Sequence, residues 1–68
     1  MQKQPPRVLA STKEAAEFLK IPPGTLSNWR LRNVGPSYFK TGHAVRYDVQ
    51  DLISWLERNR IDPQDEAR

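Results

Sequence analysis

Side chains that could hydrogen-bond a base or a phosphate recur in the middle of this chain. The segment TLSNWRLR, residues 25–32, offers Thr25, Ser27, Asn28, Arg30 and Arg32. An asparagine amide can pair with both edge atoms of adenine, a geometry that discriminates by roughly 1–3 kcal/mol, whereas a serine hydroxyl is less selective. Flanking arginines suit phosphates, which set affinity and register without reading sequence. A second cluster, Lys40, Thr41, His43 and Arg46, follows within YFKTGHAVRY, residues 38–47. No carboxylate occurs between Glu17 and Asp48, yet Lys20, Arg30, Arg32, Lys40 and Arg46 all lie there. The net charge is only +3, so it is the distribution that points to a polyanion, nucleic acid before acidic membrane or protein.

Other chemistries find little support. With no cysteine there is neither a disulfide nor a thiolate zinc site, and the single His43 cannot build a metal centre. The carboxylates sit at helix starts, on solvent faces and in the tail, with no nucleophile and base to pair, so no enzyme, cofactor or small-molecule ligand is expected. Apolar runs are too short for a membrane span, and the N-terminus lacks a secretory apolar segment. An intracellular, soluble protein is the corresponding expectation.

The elements that would position these residues follow from capping and periodicity. Ser11 and Glu14 form a capping box that starts a helix over about Thr12–Leu19, with Ala15, Ala16, Phe18 and Leu19 on its buried face. Pro22 and Pro23 break it, and a proline in the first turn suits a second helix from Pro23 to Arg32. Leu26 and Trp29 face inward there. At about 100° per residue, Gly24, Ser27, Asn28 and Leu31 lie opposite, with Thr25, Arg30 and Arg32 along the flanks. Asn33 or Gly35 takes a left-handed conformation, and Pro36 prevents continuation. A hairpin over residues 38–47 comes next, and Asp48 caps a third helix, VQDLISWLERNR, with Val49, Leu52, Ile53 and Leu56 as its stripe. Trp55 falls beside that stripe and is expected to close the core against the hairpin.

Two short helices joined by a tight turn, the second polar and basic outward, make a helix-turn-helix whose second helix suits the DNA major groove. The hairpin becomes a wing. The expected class is therefore mainly α with a small β-hairpin: a winged helix-turn-helix of three helices and a two-stranded wing. Residues 1–8 are read as a flexible basic arm, 9–60 as the domain and 61–68 as an acidic disordered tail. Hairpin register is open at this stage. A Gly42-His43 turn pairs Phe39 with Arg46, whereas a three-residue loop puts Phe39 beside Val45; the second is favoured because it buries the apolar pair, with Tyr47 and Phe39 as wing anchors.

STKEAAEFLKIPPGTLSNWR followed by VGPSYFKTGHAVRYDVQDLISWL resembles the small excisionase and MerR-like winged-helix family, in particular its AlpA-like phage and mobile-element members. The likeness covers about residues 9–58 and is most specific in EAAEFL, TLSNWR and the pattern from Lys40 to Leu56. It implies binding of double-stranded DNA, with Thr25, Ser27, Asn28 and Arg30 matching the groove-facing helix and Lys40, Thr41, His43 and Arg46 matching the wing. Lys20 stands where the family often has glycine, Pro22 where a Ser or Thr often caps the second helix, and His43-Ala44 where two arginines are frequent.

MerR-like regulators continue into a coiled coil and an effector domain, whereas this chain stops one helix after the wing. The resemblance therefore implies an excisionase, or recombination directionality factor, which binds repeated sites side by side with cooperative self-association. It would bend DNA and steer a tyrosine or serine integrase toward excision. A small phage or mobile-element transcription regulator and a DNA-packaging subunit fragment are the alternatives of the same class. A protein adaptor using the third helix is the alternative of another class.

Overall fold

The structure, a computed structural model, describes residues 7–63. Six elements follow one another: β1 (Leu9–Ala10), α1 (Thr12–Leu19), α2 (Pro23–Leu31), β2 (Phe39–Thr41), β3 (Ala44–Asp48) and α3 (Val49–Arg58). Three helices and a small antiparallel sheet make the expected winged arrangement. Most of the anticipated arm and tail, residues 1–6 and 64–68, lies outside the described residues.

Local chemistry accounts for the helix ends. The Glu14 amide donates to Ser11 Oγ (3.1 Å) and the Ser11 amide to Glu14 Oε1 (2.9 Å), which completes the capping box of α1. Lys20 ends α1 in the left-handed region at φ 62°, the position where a glycine is easiest to accommodate. α2 begins without a side-chain cap, since Pro22 has none to give. Its far end is held more firmly: Asn33 (φ 59°) and Gly35 (φ 93°) are both left-handed, and the Val34 amide returns to the Trp29 carbonyl at 2.9 Å. A Cβ on Gly35 would stand 2.8 Å from Trp29 Cε3, so only glycine lets the chain pass this close to the indole.

The hairpin is not alone. β1 pairs with β3 on the side away from β2, giving the order β1-β3-β2, and the Val49 amide extends the contact to the Val8 carbonyl at 2.9 Å. A third strand answers the weakness of an isolated ribbon. Arg7 and Val8, expected in a free arm, are thus tied down: the Arg7 guanidinium pairs with Asp48 and lies 5.1 Å from the centre of the Phe39 ring.

The wing register corrects the sequence expectation. Phe39 opposes Arg46, Lys40 opposes Val45 and Thr41 opposes Ala44, which leaves the two-residue turn Gly42-His43. Gly42 sits at φ 63°, the sign that a type II′ turn requires of its first central residue. Turn geometry prevails even though Phe39 then stays exposed. Val45 packs against the core, and Phe39, which is exposed rather than an anchor, lies under Arg7.

The core is small: Ala10, Ala15, Ala16, Leu26, Tyr47 and Leu52, with Leu19, Ile21, Trp29 and Val45 partly buried against it. Phe18, Ile53 and Leu56, expected inside, are exposed. α3 turns the face centred on Leu52 inward, and Trp55 rests on Trp29 of α2, with ring centroids 5.4 Å apart. That tilted aromatic pair joins α3 to α2.

Candidate nucleic-acid interface

α2 presents the residues expected of a reading helix. Asn28 and Arg32 are exposed, Thr25 and Ser27 half-buried, and Leu31 stands almost free of the body. Helical spacing puts Ser27, Asn28 and Leu31 on the side opposite the buried Leu26. In the wing, Lys40, Thr41 and His43 are exposed and Arg46 is half-buried.

Strand parity sorts the wing residues into two sets. Residues paired across an antiparallel ladder share a face and neighbours along a strand alternate. Lys40, Val45, Tyr47 and Ala10 therefore share the face that looks onto the helices, with Tyr38 joining it through its ring, 5.9 Å from that of Tyr47. Phe39, Thr41, Ala44, Arg46, Asp48 and Leu9 share the outer face. Lys40 and Arg46 thus leave the ribbon on opposite sides, and only Lys40 shares its side with α2. Arg46 Nη1 donates to the Val45 carbonyl at 2.8 Å, which folds the side chain along its own strand.

Arg30 joins the reading helix to the wing. Its Nη1 donates to Tyr47 Oη (2.8 Å) and to Thr12 Oγ1 (3.3 Å), and its Nη2 donates to Ser27 Oγ (3.3 Å). The guanidinium also lies 5.7 Å from the centre of the Tyr38 ring and 6.0 Å from that of Tyr47. Tyr47 is fully buried, so the bond to its hydroxyl satisfies a polar atom that water cannot reach. Arg30 was expected as an outward flank residue; it is half-buried and braced from three elements. Sequence reasoning missed Thr12 and Tyr38 as members of this surface. The signal for Tyr38 is its alternation with Lys40, but it becomes readable only once the register is known.

Among the described residues the ion pairs are Arg7 with Asp48 and Arg60 with Glu57, so none involves Lys20, Arg30, Arg32, Lys40 or Arg46. The unpaired cations lie on both sides of the wing, Lys40 on the side of α2 and Arg46 on the outer side. Among the described residues no group of His, Asp and Glu could hold a metal ion, and no helix is long and apolar enough to cross a membrane.

No curated protein matches the chain. Residues 11–60 match the helix-turn-helix domain family. That span takes in both helices of the motif, the wing and α3, and it settles the family: the chain belongs to the helix-turn-helix domain proteins and is a DNA-binding protein.

Proposed function

We propose that the protein is an excisionase that sits on repeated duplex sites, bends them and directs an integrase toward excision. The observation that carries this reading is the placement of cations about the wing: Lys40 on the helix side, Arg46 on the outer side, and α2 beside the first. A ribbon with a cation on each face can enter edge-on between two phosphate strands, and charge on both sides of a groove favours its narrowing and a bend. Asn28 reads a base; Arg30, Arg32, Lys40 and Arg46 hold phosphates, with Thr25, Ser27, Thr41 and His43 as neighbouring polar contacts.

Four cations neutralised in this way give log K against log salt a slope near −4. Selecting bound fragments from a genomic library tests the role. Direct repeats beside an integrase attachment site are expected, with binding that steepens as a second repeat is added. Isolated sites overlapping promoters would instead indicate a transcription regulator, and an absence of salt-dependent duplex binding would indicate an adaptor.

A further inference from the structure

Arg30 is a half-buried cation without a carboxylate, and its surroundings supply hydroxyls in place of one. A guanidinium has five N–H donors, of which the three bonds to Tyr47, Thr12 and Ser27 leave one on Nε and one on Nη2. A hydroxyl that accepts from a cation must turn its own proton away. The Thr12 and Ser27 protons then point outward from Arg30, and neither has an acceptor among the described residues. Tyr38, exposed and lying under the guanidinium, adds a third hydroxyl without a partner among the described residues. Unused donors thus gather around one positive charge where α1, α2 and the wing meet. What such a cluster lacks is an anion with several acceptor oxygens.

We propose that this junction is a seat for one DNA phosphate, held by Arg30 with the hydroxyls of Thr12, Ser27 and Tyr38. The proposal rests on the DNA-binding reading and adds a defined contact to it: Arg30 does not skim the backbone but fixes which phosphate lies between the groove read by α2 and the strand touched by the wing. A carboxylate of a protein partner would be a poorer occupant, because its two oxygens are taken up by the free guanidinium donors, whereas a phosphate has further oxygens for the hydroxyls.

Replacing the phosphates of a selected duplex one at a time with neutral methylphosphonates tests the seat. The wild-type protein is expected to lose roughly tenfold in affinity at one position, the loss of a charge-assisted contact. Thr12→Val and Tyr38→Phe remove hydroxyls while leaving the Arg30 to Tyr47 bond in place, and each should weaken binding to the unmodified duplex several-fold and shrink the penalty at that position. Arg30→Gln should abolish the penalty, with thermal melting confirming that the variant folds. A wild-type protein that binds the duplex yet tolerates every single methylphosphonate overturns the seat and leaves the DNA-binding reading intact. The seat is equally overturned if all three variants keep the full wild-type penalty. Failure of the wild type to bind any duplex at low salt would overturn both.

Discussion

Arg7 and Arg30 occupy comparable positions on opposite faces of one sheet and behave differently. Each guanidinium lies over an aromatic ring of the wing region, Phe39 for Arg7 and Tyr38 for Arg30. Arg7 has a carboxylate, that of the buried Asp48, whereas Arg30 has only hydroxyls. The pairing satisfies Asp48 and cancels the field of Arg7; the hydroxyls satisfy the hydrogen-bonding needs of Arg30 but leave its charge unanswered. Two similar residues thus differ in what remains available: the outer face keeps Arg46 unpaired beside the neutralised Arg7, and the helix side keeps Arg30 and Lys40.

The sharpest way to break this contrast is to neutralise each arginine in turn. Arg30→Met should lower duplex affinity by about 2 kcal/mol, the range of a hydrogen bond to a charged group, while Arg7→Met leaves it nearly unchanged in the same titration. Equal losses would mean that the carboxylate does not decide which face binds. Asn28→Ala separates reading from charge: roughly 1–3 kcal/mol of preference should vanish at one base pair in a selection experiment, with the salt slope unaltered. Asp48 gives a subtler test. Asp48→Ala should destabilise the fold by about 1 kcal/mol in chemical denaturation, because the Gln50 amide at the start of α3 loses its acceptor. Asp48→Asn preserves that cap and frees the charge of Arg7, so the salt slope should steepen by about one unit if the outer face then meets a phosphate. The smallest effect belongs to a site remote from both arginines. Lys20→Gly relieves a left-handed side chain and should raise stability by under about 1 kcal/mol without changing DNA affinity.

Much of this architecture is readable from single residues whose local chemistry admits one outcome. Ser11 with Glu14, the Pro22-Pro23 break and Asp48 before an apolar stripe each place a boundary without help from distant parts of the chain. The left-handed turn at Asn33 and Gly35 is legible for the same reason. Where two local preferences compete, the sequence is silent on which prevails. Burial of Phe39 favours one wing register and the Gly42 turn favours the other; the turn prevails, and the ring it leaves exposed is met by Arg7, far off in the chain. Phe18, Ile53 and Leu56 fail as core residues because a chain this short cannot cover the whole apolar perimeter of its helices, and the Trp29–Trp55 contact takes the available room. The role of Arg30 is hidden for a related reason. Helical spacing places it on a flank, but its three hydroxyl partners come from three separate segments.

The short strand β1 bears on where a working fragment of this protein can begin. A piece cut to start at Ser11 would keep every helix and the hairpin, yet it would strip β3 of a neighbour and leave the Asp48 carboxylate buried without its guanidinium. An uncovered strand edge invites pairing between molecules, so such a fragment should clump where one starting at Arg7 or earlier stays dispersed.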